Sequence, residues 1–339
     1  MNNEVNLFKG RIISQYKDLY KIAMTNEELT GEVSGKFRFS ATSPTSFPAV
    51  GDYVMVDRES DSAGNGIIHG LIPRKSLLAR KAAGNEKITQ IIAANIDYIF
   101  ICMSLNNDFN LRRIERYLAI SWDSGAAPVI VLTKADLADN LSEKLQEVEE
   151  IAPGVDVIIT SMENDDDHLQ VLKYIKEGKT GAFVGSSGVG KSTLINKILG
   201  KDVIKTSEIR NDDKGRHTTT RRDLFILPNG GAVIDTPGMR ELGIDHADLS
   251  RSFEDIEALA TECRFKDCSH KSEPGCALRK GIEEGNISVE RLESYLKLKK
   301  EASYEGLNSK EIEKKKIDNM FSEFNGIKNA RDFVKRKNK

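Results

Sequence analysis

The stretch Gly185-Ser186-Ser187-Gly188-Val189-Gly190-Lys191-Ser192 reads G-x-x-x-x-G-K-S. Glycines let a backbone turn through positive φ and aim successive N–H groups at phosphate oxygens. Lys191 is placed to reach the β- and γ-phosphates, and the Ser192 hydroxyl, with Thr193 beside it, to meet Mg²⁺ and the nucleotide. The apolar run Thr180–Val184 precedes this loop, and residues 192–199 follow it with helical spacing up to a stop at Gly200. Strand, glycine loop and helix in that order put a helix N-terminus against an anion.

A second motif lies upstream. Pro128–Leu132 is a buried-strand pattern that runs into Thr133-Lys134-Ala135-Asp136, or T-K-x-D. A carboxylate at Asp136 can accept both N1–H and N2–H of guanine, a donor pair that adenine lacks. Lys134 would lie along the base, and Thr133 stands where Asn is commoner. After a further strand, Val155–Ile159, the loop Thr160-Ser161-Met162 is a candidate for the backbone contact to guanine O6, with Ser161 at its centre. The acidic run Asn164-Asp165-Asp166-Asp167 reads as the opening of the next helix, where negative charge suits the dipole, and not as a metal site. Downstream of the glycine loop, His217 precedes Thr218-Thr219-Thr220. One of these threonines, assigned to Thr219, would bind Mg²⁺ and sense the γ-phosphate as switch loops do. Asp235-Thr236-Pro237-Gly238 supplies a carboxylate near the metal and a Gly238 N–H for the γ-phosphate. The next residue, Met239, cannot orient water by hydrogen bonding, which leaves His217 as the candidate catalytic water-positioning group beside Lys191.

A third constellation is Cys263-x4-Cys268-x-His270-x5-Cys276. Three thiolates and one imidazole suit a closed tetrahedral Zn²⁺ site with no position left for catalytic water. The fourth cysteine, Cys102, falls in an apolar run and reads as a core thiol.

These motifs need particular elements to hold them. Residues 1–72 carry about five short strands punctuated by Gly, Pro and Asn, which predicts a small OB-fold-like barrel. The segment Gly31–Phe39 is read as one of these strands, and residues 76–95 as a linker or partner-touching loop. Lys9, Arg11, Lys21, Lys36 and Arg38 could line a basic face for RNA or simply face solvent. Residues 73–245 carry alternating strand and helix patterns and predict a P-loop α/β domain. Residues 246–339 predict a helical zinc-binding domain with a basic tail. The fold class is therefore multidomain α+β. In the central part the base-reading loops precede the phosphate loop and the switches, the reverse of an ordinary GTPase, so the domain reads as circularly permuted. Permutation keeps the contacts and moves the termini.

The ordered set of barrel, T-K-x-D, G-x4-G-K-S, T-T-T, D-T-P-G and C-x4-C-x-H-x5-C resembles the circularly permuted small ribosomal subunit biogenesis GTPases (ribosome small subunit-dependent GTPase A). The likeness covers residues 4–305. It implies an OB-fold, a permuted GTPase domain and a zinc domain. It also implies GTP hydrolysis stimulated by the small subunit during late assembly, with rRNA contacts. A zinc-bearing RNA-binding protein that holds GTP without turnover is the rival reading. An ATP-dependent kinase or transporter-type ATPase is disfavoured by Asp136.

Composition sets the outer bounds. Apolar residues make up 39% and charged residues 30%, with a formal net charge of −2. That excludes a uniformly basic nucleic-acid coat but allows local basic faces. No apolar run is long enough to span a bilayer, and the start of the chain lacks the pattern of a signal peptide. The expectation is a cytoplasmic monomer with no membrane partner, whose cysteines stay reduced and ligate metal.

Overall fold

The structure is a computed structural model that describes residues 6–82, 85–161, 163–204, 222–236, 249–270 and 273–303, with residues 311 and 314. Thr218, Thr219, Thr220, His217, Gly238, Met239 and the basic tail apart from Lys314 lie outside the described residues.

The N-terminal part is a closed barrel. Its strands are β1 (Phe8–Tyr16), β2 (Leu19–Ala23), β3 (Glu28–Val33), β4 (Tyr53–Val56) and β5 (Gly66–Leu71). They pair in the order β1-β2-β3-β5-β4, and β4 returns to β1. Alternation puts Ile12, Ile22, Leu29, Val54, Val56 and Ile68 inside, each fully buried. This is the expected OB-like closure, which removes sheet edges. One predicted strand is different. Residues 35–40 form a short helix, α1 (Gly35–Ser40), because the Ser34 hydroxyl accepts the Phe37 N–H as an N-cap. The alternation of Phe37 and Phe39 is misleading, since Phe39 is 94% exposed. Asp52, fully buried, takes a two-pronged ion pair from Arg74 at 2.8 and 2.7 Å; Arg74 also donates to the carbonyls of Thr45 and Phe47. That pins the loop before β4.

The expected basic face is divided. Lys9 and Arg11 stack over the Tyr53 ring, and Arg11 also donates to Thr180. Lys21 pairs with Glu28, and Arg38 with Asp18. Opposite charges and an aromatic face therefore absorb most of these cations.

Residues 76–95 are not a linker. They form a hairpin of β6 (Leu77–Ala82) and β7 (Asn85–Ala94) in a sheet of its own. Leu78 and Ile92 enter the main core from it.

The central sheet has five parallel strands and one antiparallel one: β8 (Tyr98–Ser104), β9 (Ala127–Thr133), β10 (Val157–Ile159), β11 (Thr180–Val184), β12 (Asp223–Ile226) and β13 (Ala232–Asp235). The order is β10-β9-β8-β11-β13-β12. Their near-continuous apolar runs fit strands covered on both faces. Helix α2 (Leu111–Asp123), capped by Asn110 at Arg113 N, and α3 (Leu141–Ile151) lie in the crossovers from β8 to β9 and from β9 to β10. After β10 the chain passes through α4 (His168–Leu172) to β11, on the other side of β8. The direction of winding therefore reverses between β8 and β11, the place where open α/β sheets bind ligands. β1 of the barrel joins β12 at Ser14 and Asp223, so barrel and central sheet form one eleven-stranded sheet.

The C-terminal part is helical: α6 (Glu254–Ala260), α7 (Ala277–Glu283) and α8 (Val289–Ala302), with α5 (Lys191–Leu199) belonging to the central domain. Phe253, Leu278 and Tyr295 join the same core as Ile114 and Tyr117 of α2. A buried ionic cluster fastens this contact. Arg291 donates to Glu115 at 3.0 Å and to both Asp255 oxygens at 2.7 Å. Burial pushes the Glu115 carboxyl up, against the opposing pull of Ser294, Arg112 and Arg291. Among the described residues no helix is long and apolar enough to cross a membrane.

Candidate functional site

The parallel strands β8, β9, β10, β11 and β13 end on one side, and the motif residues sit at those ends or just beyond them. The glycine loop leaves β11 and enters α5 as the spelling requires. Gly185, Gly188 and Gly190 have φ of 144°, 79° and 99°. A Cβ on Gly185 would lie 2.4 Å from the Cys102 carbonyl oxygen, so the loop packs directly on the end of β8. Ser187 and Gly188 form the exposed lip, Val189 is buried, and Ser192 and Thr193 are half-buried in the first turn of α5. Lys191 is 7% exposed and donates to the Gly185 and Ser186 carbonyls at 2.8 and 2.6 Å. Burial pulls its ammonium below the usual range, while Cys102 and Asp235 oppose that shift.

Thr133 closes the pocket from the other side. It ends β9, is 4% exposed, and its hydroxyl donates to the Val189 carbonyl at 2.5 Å. The T-K-x-D loop is thereby tied to the phosphate loop. Lys134 adopts left-handed backbone, φ 58° and ψ 44°, and turns the chain into a single 3-10 turn, Ala135–Leu137, that carries Asp136. Asp136 accepts the Ser161 hydroxyl at 3.0 Å, and Ala135 N donates to Thr160 O at 3.1 Å. The structure therefore brings Thr133, Asp136, Ser161 and the glycine loop together. One detail differs from expectation. The amide of Ser161 is engaged by Asp167 at 2.7 Å, so Ser161 faces the pocket loops through its hydroxyl and not through its own N–H. Met162 lies outside the described residues.

Asp235 ends β13, the neighbour of β11. Burial pushes its carboxyl up to about 6; Lys191 counters the shift, and Asp223 across the hairpin adds to it. Thr236 donates to the Phe183 carbonyl and fixes the two strand ends together. The half-buried Asp235 carboxyl, the Ser192 hydroxyl and the buried hydroxyl of Ser186, which has no hydrogen-bond partner among the described residues, are hard oxygen donors around one loop. That donor set fits Mg²⁺ with a phosphate.

The second cluster lies far along the chain. Ligand atoms of Cys263, Cys268, His270 and Cys276 all fall within 4.8 Å of one another. His270 has φ 62°, and its Nδ1 stands 3.6 Å from both Cys263 Sγ and Cys276 Sγ. Zinc bonds of about 2.3 Å to sulfur and about 2.05 Å to nitrogen put tetrahedral S and N ligands about 3.5 Å apart. The spacing therefore fits one tetrahedral ion. The Cys268 thiol is pushed up to about 11 by desolvation and then by its neighbours Cys276 and Cys263, which crowd like charges that a dication would neutralise. Arg264 N donates to Gly275 O, and Ser269 N to the Glu273 carboxylate, so backbone donors close the loop around the ligands.

Thr236 and Asp167 make contacts that sequence spacing does not point to. Thr236 lies inside the D-T-P-G motif, whose spelling assigns it no role. Asp167 occupies the position of an ordinary helix-opening residue.

Comparison with known proteins agrees with this arrangement. A family model described as RsgA GTPase matches residues 71–245. The chain is 54% identical over 92% of its length, and 88% of the relative's, to small ribosomal subunit biogenesis GTPase RsgA 2 of Lactiplantibacillus plantarum. It is 42% identical to small ribosomal subunit biogenesis GTPase RsgA of Methanosarcina acetivorans, over 92% of this chain and 85% of that one. Among solved structures it is similar to YjeQ from Thermotoga maritima, with TM-score 0.64 and 27% identity, covering 88% of this chain and 99% of that one. YloQ, described as a circularly permuted GTPase, shares the fold at TM-score 0.61 and 23% identity, over 89% of this chain and 97% of that one. With a permuted strand order, a glycine loop tied to T-K-x-D and relatives matched over nearly their whole length, the chain belongs to the RsgA GTPase family.

Proposed function

We propose that this GTPase is a switch that acts on the small ribosomal subunit in late assembly, hydrolysing GTP to GDP and phosphate. The observation that supports it most is the Thr133–Val189 hydrogen bond, which joins a guanine-reading loop to a phosphate loop 56 positions away. Asp136 would read the base, with Lys134 along its plane and Ser161 holding the carboxylate. The amides of residues 185–190 and Lys191 would hold the phosphates, Lys191 exchanging its bonds to the loop carbonyls for phosphate oxygens. Ser192, Thr219 and Asp235 would hold Mg²⁺, whose chemistry is to neutralise charge developing on the phosphates. Thr193 and Gly238 complete the proposed contacts. His217 is proposed to hold the attacking water, since Met239 has no group that can.

Cys263, Cys268, His270 and Cys276 would hold Zn²⁺ as a structural ion. The proposed units are 1–72, 73–245 and 246–339, with the first and third touching rRNA. The protein would act as a cytoplasmic monomer. Steady-state phosphate release with and without small subunits tests the reading. Stimulation by subunits, with GTP displaced by GDP but not by ATP, is the expected result. Tight GTP binding with no turnover on subunits would instead favour an RNA-binding protein that holds GTP as a ligand.

A further inference from the structure

The turn at Asn164–Asp167 does more than start a helix. Asp167 Oδ2 accepts the Ser161 amide at 2.7 Å, while Asp167 Oδ1 is fixed by the Asn164 side-chain amide at 2.7 Å. The Ser161 oxygen accepts Glu163 N at 3.1 Å, so its single proton is directed to Asp136, 3.0 Å away. Asp165 of the same turn pairs with Lys197 of α5 at 3.0 Å. The turn thus braces the base-reading loop against the helix that follows the phosphate loop.

We propose that Asp167 is a positioning residue for guanine recognition. The inference rests on the proposed reading of guanine by Asp136. To accept N1–H and N2–H together, the Asp136 carboxylate must lie in the plane of the base. The terminal torsion of an aspartate is broad and does not set that plane by itself. A hydroxyl donor held in place does, and Ser161 is held through its amide by Asp167. Removing Asp167 frees the Ser161 backbone and loosens the carboxylate. The N2–H bond, at the far edge of the pair, is the first to weaken. A base without the 2-amino group has no such bond to lose.

The ratio of GTP to ITP affinity therefore reads the effect, because hypoxanthine lacks that amino group. Asp167→Ala should lower the ratio by about tenfold, the scale of one hydrogen bond to a charged group. Asp167→Asn keeps a carbonyl acceptor for Ser161 and should retain most of the preference. Asp166→Asn removes the same charge from the same turn, and no hydrogen bond of its carboxylate is found among the described residues; it should leave the ratio unchanged. In a Ser161→Ala background, Asp167→Ala should add almost nothing, since the two act through one contact. If Asp167→Ala fails to fold, Asn164→Ala, which frees one oxygen of Asp167 and uncaps the Asp166 amide while leaving the Asp167 bond to Ser161 in place, should give a smaller loss in the same direction. An unchanged ratio in folded Asp167→Ala and Asn164→Ala overturns the inference. So does an equal loss in Asp166→Asn, which would make the effect one of charge alone. A parent protein that binds ITP as well as GTP removes the guanine-reading role of Asp136, and this inference falls with it.

Discussion

The Cys3His cluster takes its four ligands from residues 263–276, while the nucleotide pocket closes on a hydrogen bond between residues 56 positions apart. The cluster is local: three short spacers and one left-handed residue, His270, put four ligand atoms within 4.8 Å. The pocket is global: its parts meet because parallel strands β8, β9, β11 and β13 end side by side. The two should therefore fail differently. A local cluster that holds zinc, as proposed, would depend on its ion, because the dication offsets the repulsion of three thiolates. A global pocket depends on the sheet and tolerates loss of an ion elsewhere.

The largest expected effect follows. Chelating zinc should unfold the region around residues 260–280. Apparent binding energies of structural zinc, about 10–16 kcal/mol in small zinc-finger peptides, exceed what so small a core can supply. GTP affinity should survive while subunit-stimulated turnover falls. Metal analysis, limited proteolysis and nucleotide titration on the same sample check it. Loss of GTP binding together with the metal would mean that cluster and pocket form one cooperative unit.

A buried ionic contact joins α2 to α8. Glu115 is fully buried and Arg291 is 8% exposed, so Arg291→Met strands a carboxylate in the core with Arg112 and Ser294 beside it. Breaking one side of such a pair costs about 3–5 kcal/mol. Thermal unfolding of the variant should show the C-terminal helices released before the central sheet. Glu115→Gln added to Arg291→Met should recover much of the loss, because it removes the stranded charge. Failure to recover would place the cost in lost packing of Arg291 on Phe253.

Within the pocket, Asp136→Asn is the next largest. An amide can accept one guanine proton but not two, and its own N–H faces a donor. The expected loss is about 2–4 kcal/mol in GTP affinity, with ATP affinity little changed. Competition binding with GTP, ITP and ATP checks it. Equal losses for all three would show a damaged loop and not a lost base contact.

How much of this was visible in the sequence depends on the same local-to-global distinction. The ligand spacing 263–276 is legible because cysteine and histidine chemistry is carried by the residues themselves. Strand β11 was legible residue for residue, since a buried parallel strand is a continuous apolar run. Helix α1 was not, because Phe37 and Phe39 mimic strand alternation and only the Ser34 cap betrays the helix. The β6–β7 hairpin was hidden for a different reason. Among the described residues it pairs with no strand of the main sheet, so much of its surface can be polar, and Leu78, Ile92 and Ala93 reach the main core from it. Asp167 was hidden because its role lies in a contact with Ser161 that no motif encodes. The order of base loops before phosphate loop was readable, but permutation keeps the contacts, so the pairing of β8 with β11 follows from the sheet and not from that order.

The smallest effect tests what joins the halves of the pocket. Thr133→Val keeps the shape of the side chain and removes the hydroxyl that donates to Val189 O. The Val189 carbonyl then loses a buried partner, a cost of about 1–2 kcal/mol. The bond reaches the phosphate loop and not the base, so GTP and ITP affinities should fall together, by roughly tenfold, with their ratio preserved. Asp136→Asn should do the opposite and change the ratio. Thr133→Ser restores the hydroxyl and should return most of the affinity. Nucleotide dissociation rates for both triphosphates are the measurement, since a loosened phosphate loop releases its ligand faster. If Thr133→Val changes the ratio, the hydroxyl acts on Asp136 through the loop that both residues share. If it changes neither affinity nor ratio, the two halves are held by the strands alone, and the pocket is even more a property of the sheet than the contact at Val189 implies.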